Sequence, residues 1–292
     1  MMLAVASGKG GTGKTTVALN LAKVVACPVQ VLDCDVEEPN AHLFLRGTLN
    51  KRETITKPVP VVDRALCDAC GECSRFCQYH AIVCLKDRVM VFAEMCHSCG
   101  GCAKVCPRQA ISETGQRIGV VETIVDGLIT LVTGRLDVGV AMAPPLVHAV
   151  KSRICADKPA IIDAPPGTSC PVIASVKGAD FVALVTEPTP FGLHDLRLAV
   201  DMVRQLAIPF GVVINRVGVG DDRVHDYCGQ QRTPILLEIP DDRRIAEAYS
   251  RGDLVVDALP EYRRHFERLA DATVRQGGLA RRPGAADGGR PE

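Results

Sequence analysis

Eight of the fourteen cysteines in this 292-residue chain fall into two runs of identical spacing. Cys67, Cys70, Cys73 and Cys77 form the first, and Cys96, Cys99, Cys102 and Cys106, followed by Pro107, form the second. Three thiolates spaced two residues apart can wrap three irons of one cubane, while the fourth cysteine of each run reaches across to the other cluster. By that rule Cys67, Cys70, Cys73 and Cys106 hold one [4Fe–4S] cluster, and Cys96, Cys99, Cys102 and Cys77 hold the other. The duplication extends past the cysteines: Cys70-Gly71-Glu72-Cys73 matches Cys99-Gly100-Gly101-Cys102, and His80-Ala81-Ile82 matches Gln109-Ala110-Ile111. A four-cysteine zinc site is the alternative, but zinc sites show two separated C-x-x-C knuckles rather than runs of four. Gln78 stands where the pattern carries a proline, which leaves the cluster held by Cys77 more exposed. His97 is either a donor to a cluster or a solvated loop histidine, and Cys84 reads as a small core residue.

A second chemistry is written at the N-terminus. Residues 8–15 read Gly-Lys-Gly-Gly-Thr-Gly-Lys-Thr between an apolar β-branched run and a helical pattern, the setting of a phosphate-binding loop. Gly8, Gly10, Gly11 and Gly13 let the backbone around Thr12 curl its N–H groups toward phosphate oxygens, into the helix that opens with Thr15 and Thr16. Lys14 reaches the β- and γ-phosphates, and the Thr15 hydroxyl is placed to hold Mg²⁺. Gly8, Gly10 and Gly13 also satisfy the G-x-G-x-x-G of a dinucleotide fold, with Asp33 at a suitable distance. The Lys14-Thr15 pair decides for a triphosphate with Mg²⁺, since a dinucleotide turn has no use for either side chain there.

These groups must be positioned by an α/β domain. Short apolar runs at Leu3–Ala6 and Val29–Leu32 flank a helical pattern over Lys14–Val25. After residue 115 the alternation resumes, with strands expected at Arg135–Ala141, Ala160–Asp163, Asp180–Thr186, Phe210–Asn215 and Pro234–Glu238. Helices are expected at Leu193–Leu206 and Arg243–Arg251. Alternation of this kind implies a parallel sheet covered by helices. The cysteine-dense stretch is therefore an insertion: residues 1–62 and 113–275 form one domain, 63–112 a small second one, and 276–292, rich in Gly, Pro, Arg and Ala, a disordered tail.

Lys9 completes a loop that resembles the deviant Walker A sequence of the MinD, ParA, Mrp and nitrogenase-iron-protein superfamily, and the spacing at 67–106 is similar to that of bacterial two-cluster ferredoxins. The resemblance covers the chain to about residue 272 and implies a P-loop NTPase with an inserted 2[4Fe–4S] ferredoxin-like α+β domain. It implies that Lys9 crosses a nucleotide-sandwich homodimer to the partner's ATP, that Asp35 orients or activates the attacking water, and that Asp33 lies near the Mg²⁺ and phosphates. Asp163, ending the apolar run Ala160–Asp163, has the look of a Walker B acid holding a Mg²⁺-bound water. Asn215 resembles the family's adenine-reading asparagine, and Asp241 its closing nucleotide-side loop. Cys170 follows the Walker B turn, where a bridging-cluster ligand would need a second cysteine. Cys27, Cys34, Cys155 and Cys228 read as core or surface thiols.

Lys+Arg and Asp+Glu balance at 34 each, which gives no global basic field for nucleic acid. There is no export signal and no run of uncharged apolar residues long enough to span a bilayer, so a cytoplasmic location is expected. The expected activity is ATP binding and hydrolysis coupled to electron transfer through two [4Fe–4S] clusters, with a redox partner. The alternatives are an Mrp-like iron–sulfur cluster carrier serving an apoprotein, and a positioning or partition ATPase with structural clusters. The last needs a DNA or membrane surface, and Glu261–Arg275 is either an amphipathic membrane helix or a last helix docked on the sheet.

Overall fold

The strands that carry the domain are short runs of Val, Ile, Leu and Ala buried on both faces, as a parallel sheet covered by helices demands. The computed structural model describes residues 1–276. Its strands are β1 Met2–Ala6, β2 Val29–Asp33, β3 Thr48–Val62, β4 Ile82–Leu85, β5 Arg88–Val91, β6 Ile111–Asp126, β7 Ile129–Leu136, β8 Ala160–Asp163, β9 Phe181–Thr186, β10 Phe210–Val217 and β11 Ile235–Pro240. The helices are α1 Lys14–Val24, α2 Glu72–Phe76, α3 Gly101–Lys104, α4 Pro144–Lys151, α5 Cys170–Val176, α6 Pro190–Gln205, α7 Arg223–Gln230, α8 Arg243–Ser250, α9 Val255–Ala258 and α10 Arg263–Gln276.

Nine strands form one sheet in the order β11-β10-β9-β1-β8-β2-β7-β6-β3. From β11 to β7 every neighbouring pair is parallel. The strands are sandwiched between two apolar layers. One holds Leu146, Val172, Leu196 and Val224 from α4 to α7; the other holds Leu19, Val255 and Phe266 from α1, α9 and α10. The tail expected at 276–292 lies outside the described residues, except that Gln276 ends α10.

The far edge departs from the sequence expectation. β7 runs over Ile129–Leu136, so a strand at Arg135–Ala141 is wrong by most of its length. The chain leaves the sheet at Asp137, where Val140 N–H turns back to the Asp137 carbonyl and Gly139 is left-handed at φ 86°. The hairpin before it was signalled by Asp126-Gly127, with Gly127 at φ 56°. β3 and β6, of 15 and 16 residues, are not foreshadowed by apolar runs. They pair antiparallel along their whole length as a ribbon, from Thr48↔Val125 to Val62↔Ile111. β3 is the edge strand, where Pro58 and Pro60 are tolerated because an unpaired side needs no N–H.

Strand direction fixes where the ribbon leads. β6 runs against β7, and β3 runs against β6, so β3 points the same way as the parallel strands. Through the register Asp33↔Thr133, Thr133↔Glu122 and Glu122↔Arg52, Arg52 is level with the C-terminal end of β2. Val62 is ten residues further along β3, roughly 33 Å beyond that edge at the usual rise of a strand.

In α10 Tyr262, just before the helix, and Phe266, Leu269 and Thr273 within it are buried, while the helix presents its arginines outward. The apolar stripe is thus already used against the sheet domain. Phe266→Ala should cost about 3–5 kcal/mol, the usual penalty for emptying a packed aromatic site. Urea unfolding of the variant tests this; an unchanged midpoint would mean that α10 is not docked.

Candidate functional site

The loop after β1 folds over the C-terminal ends of β1, β8 and β2. Gly11 and Gly13 are left-handed, at φ 78° and 94°. A Cβ on Gly13 would sit 2.6 Å from Asn215 Nδ2, so this position is glycine for space as well as for conformation. The turn hands the chain to α1, whose first residue is Lys14 and whose first turn has no acidic residue and no side-chain cap. Its free N–H groups and dipole suit an anion.

Around that loop lies a cluster of buried charge. Asp33 and Asp163 are neighbours in register at the ends of β2 and β8. Thr15 Oγ1 donates to Asp163 Oδ2 at 2.6 Å, while Asp163 Oδ1 is buried without a partner, as is Thr12 Oγ1. Asp33 accepts from the N–H groups of Asp35 and Ala41, both at 3.2 Å. Burial pushes the Asp163 carboxyl up to about 7, against the pull of the Thr15 hydrogen bond and the Lys14 charge. Asp33 is raised by burial and then by the charge of Asp163. Asp35 is raised by burial, with Lys14 opposing. The Lys14 ammonium is held below its ordinary range by burial, with Asp163 and Asp35 pulling the other way. Lys14 thus faces two carboxylates, Asp163 and Asp35, with Asp33 beside Asp163, and the orphaned oxygens of Asp163 and Thr12 fit a Mg²⁺–phosphate group.

Lys9 Nζ pairs with Glu187 Oε2 at 2.9 Å, and Glu187 Oε1 accepts from Arg216 at 3.1 Å. Sequence reasoning missed Glu187; its only signal is a carboxylate directly after the fully buried β9. Asn215 lies beside the loop, but its amide donates to the Thr12 carbonyl at 2.9 Å and its Oδ1 accepts from Arg216 N–H, so here it pins the loop. The Asp241 N–H closes onto the Val217 carbonyl. The neighbouring Asp242 does more: it caps α8 through Arg244 N–H and accepts from the Tyr262 hydroxyl at 2.8 Å.

The eight cysteines gather around two cavities. One is lined by Cys67, Cys70, Cys73 and Cys106, the other by Cys77, Cys96, Cys99 and Cys102. The backbone repeats with the sequence. Left-handed residues recur at Ala69 and Ser98, Gly71 and Gly100, and His80 and Gln109, each pair twenty-nine positions apart. The hydrogen bond from Asp63 N–H to the Ala110 carbonyl is mirrored by that from Phe92 N–H to the Ala81 carbonyl, both 2.8 Å. The ladder pair Val62↔Ile111 is likewise mirrored by Val91↔Ile82. Among the described residues no three His, Cys, Asp or Glu side chains close on a single ion. Thiolates spread around a cavity suit a polynuclear cluster better than one tetrahedral zinc.

His97 stacks on Tyr79 with ring centroids 3.5 Å apart at the second cavity. Cys84 lies half-buried with its thiol donating to the Ala69 carbonyl. Cys170 is exposed at the start of α5, Cys27 is exposed, Cys155 is half-buried, and Cys34 and Cys228 are buried.

The raised Asp163 carboxyl has a pH consequence. The folded, nucleotide-free chain binds that proton more tightly than the unfolded chain, so stability falls as pH rises from the ordinary carboxylate range to about 7. Asp163→Asn should therefore melt higher than the parent at pH 8, with the gap narrowing toward pH 5. Thermal melts of both proteins without nucleotide check this; a gap that widens on acidification would reverse the assignment.

The comparisons with known proteins agree with this geometry. Residues 3–255 match the family model described as the CobQ/CobB/MinD/ParA nucleotide binding domain. Two uncharacterized proteins of Methanocaldococcus jannaschii are similar: one is 29% identical, over 93% of this chain and 97% of its own length, and the other 32% identical, over 76% and 80%. An iron-sulfur cluster carrier protein of Aquifex aeolicus is 23% identical, over 89% of this chain and 63% of its own. Among solved structures, the septum site-determining protein MinD complexed with Mg-ADP from Pyrococcus horikoshii superposes with a TM-score of 0.58 at 19% identity, covering 95% of this chain and 97% of that one. No helix among the described residues is long and apolar enough to cross a membrane. The phosphate loop, the paired strand-end acids and the parallel sheet that unites them are those of a family, and this chain belongs to it: the CobQ/CobB/MinD/ParA nucleotide-binding proteins.

Proposed function

We propose that this chain is a cytoplasmic, Mg²⁺-dependent ATPase whose nucleotide state governs electron transfer through two [4Fe–4S] clusters in a ferredoxin-like insert at residues 63–112. The observation that carries the reading is directional. β3 runs parallel to β2, so the two cysteine-lined cavities lie off the same end of the sheet as the phosphate loop, on a ribbon at the edge of that sheet. Closure of a second copy over the nucleotide edge would therefore also approach the insert.

The work is divided among named residues. Backbone N–H groups of residues 8–16 and the Lys14 ammonium bind the phosphates. Thr15 and Asp163 hold Mg²⁺ and its water, with Asp33 behind them, and Asp35 orients the water that attacks the γ-phosphoryl group as the bond to the leaving β-phosphate oxygen breaks. Lys9 exchanges Glu187 for the partner's ATP when a homodimer forms. Glu187 keeps Arg216 as its second cation, so that exchange does not strand a carboxylate. When bound, Mg²⁺ neutralises developing phosphate charge, and each cluster supplies one-electron storage.

A second reading, an iron–sulfur cluster carrier delivering to an apoprotein, is favoured by one observation, the 23% identity to the A. aeolicus carrier. Anaerobic paramagnetic resonance with iron counting, with and without MgATP and then with an apo-ferredoxin acceptor, separates the two. Clusters that stay bound while MgATP alters their signal support the redox ATPase. ATP-dependent loss of iron to the acceptor would replace it with the carrier.

Two substitutions test the parts. Asp35→Ala should slow hydrolysis by at least about 100-fold while MgATP still yields a dimer on size exclusion; undiminished turnover removes the role given to Asp35. Cys67→Ser should lose the iron of one cluster while Cys84→Ala loses none, and a Cys67→Ser protein with full iron would refute the ligand set.

A further inference from the structure

The inward face of β3 reads Glu53, Ile55, Lys57, Val59, with alternate residues turned outward. A lysine is out of place in that row. Lys57 is 4% exposed, and its ammonium donates to the carbonyl of Cys96, 2.9 Å away. Among the described residues it forms no ion pair, although eighteen other pairs are found. An isolated buried ammonium is costly unless opposite charge lies near it. Two further polar atoms at the same place lack partners. Gln116 stands opposite Lys57 in the ladder and shares its face, and its Oε1 is buried without a donor; so is Ser98 Oγ, two residues after Cys96. Val59, next along the same face, packs with Cys77, Ala81 and Cys96. Lys57 thus lies behind the cavity lined by Cys77, Cys96, Cys99 and Cys102, bonded to the backbone of one of those cysteines without itself lining the cavity.

Resting on the cluster-binding reading above, we infer that Lys57 is a positioning residue that supplies the counter-charge for the cluster at that cavity and sets its reduction potential above that of its twin. A cubane with four thiolates is a dianion in its oxidised form and becomes a trianion when it takes one electron from a low-potential reductant. A fixed cation beside it favours the more negative form. Among the described residues the cations at the other site are both paired: Arg108 lines it but is drawn off to Asp68 at 2.8 Å, and Arg75, which donates to the Cys70 carbonyl, is held by Glu72 at 2.6 Å. Twenty-nine positions after Lys57, where the internal repeat would place its counterpart, the residue is Lys86, left-handed and exposed in the turn between β4 and β5. Of the two cations that donate to a ligand cysteine's carbonyl, Lys57 alone has no carboxylate partner among the described residues. Lys57 also belongs to a strand joined to β2 through β7 and β6, so a shift of the ribbon would change the distance between its charge and the cluster.

The test is an anaerobic redox titration of the full chain, followed by paramagnetic resonance, on the parent, Lys57→Gln and Lys57→Arg, with iron counted in each. Gln removes the charge and keeps an N–H donor; Arg keeps the charge. One of the two potentials should fall in Lys57→Gln by at least a tenfold change in the reduction equilibrium, which is about 59 mV for one electron, and should stay near the parent value in Lys57→Arg. Loss of one cluster's iron in Lys57→Gln alone supports the same charge role. Potentials in Lys57→Gln that coincide with the parent overturn the inference, as do equal shifts or equal iron loss in both variants, which would mark a structural role. A parent chain that binds no clusters on reconstitution would instead overturn the cluster reading, and this inference with it.

Discussion

Two carboxylates buried side by side at the ends of parallel strands are the constraint around which this domain is organised. Asp33 and Asp163 are almost inaccessible, and Lys14, which faces Asp163, is nearly so. In water such groups would be solvated separately; here burial raises both acids and depresses the lysine. Thr15 and a few backbone N–H groups hold the carboxylates in place. Keeping them there constrains much of the fold. β2 and β8 must be parallel and in register to bring both acids to one edge. Gly13 must be left-handed so that α1 starts immediately behind the loop, and Asn215 must tie down the Thr12 carbonyl from β10, two strands along the same sheet.

The segment between β3 and β6 is governed by a different constraint, pairing with itself. Its two halves exchange equivalent hydrogen bonds and equivalent ladder pairs. Few of its apolar residues are buried, and cysteines make up a large part of its small cores. A core of that size gives little stability on its own. Anchoring at both ends of a long ribbon limits the conformational freedom of the segment, and crossed cluster ligation, in the proposed reading, would tie its halves together.

How legible these features were depended on whether the chemistry was local. The phosphate loop and the cysteine runs are contiguous motifs whose function needs fixed spacing, and the structure brings their members together as spaced. Short central strands such as Val29–Asp33 and Phe181–Thr186 showed as apolar runs because both faces are covered. The ribbon did not, because most of β3 is exposed and its alternation is diluted by Thr, Lys, Arg and Pro. The strand expected at Arg135–Ala141 was displaced because its apolar residues continue into a turn, while the hairpin at Gly127 that sets the true start of β7 was overlooked. Glu187 and Lys57 were invisible for another reason. Each is an ordinary charged residue whose partner, Lys9 or the carbonyl of Cys96, is distant along the chain.

That distance is also what makes the two sites a candidate for coupling. Arg216 neighbours the asparagine that pins the phosphate loop and shares Glu187 with Lys9, so the loop and its outward-facing lysine are linked by contacts that can be exchanged without leaving a charge alone. On the other side of the site, Asp33 is level with Thr133 on β7, whose hydroxyl points back to it, and through Glu122 with Arg52 on β3. From there a single strand leads to Lys57 and the second cysteine cavity. A rigid ribbon of paired backbone transmits displacement along its length better than a loop would, because a slip of one residue would turn its buried face outward. In the proposed reading, a change of charge at the nucleotide edge and a change of potential at the cluster would be linked through the paired strands β2, β7, β6 and β3.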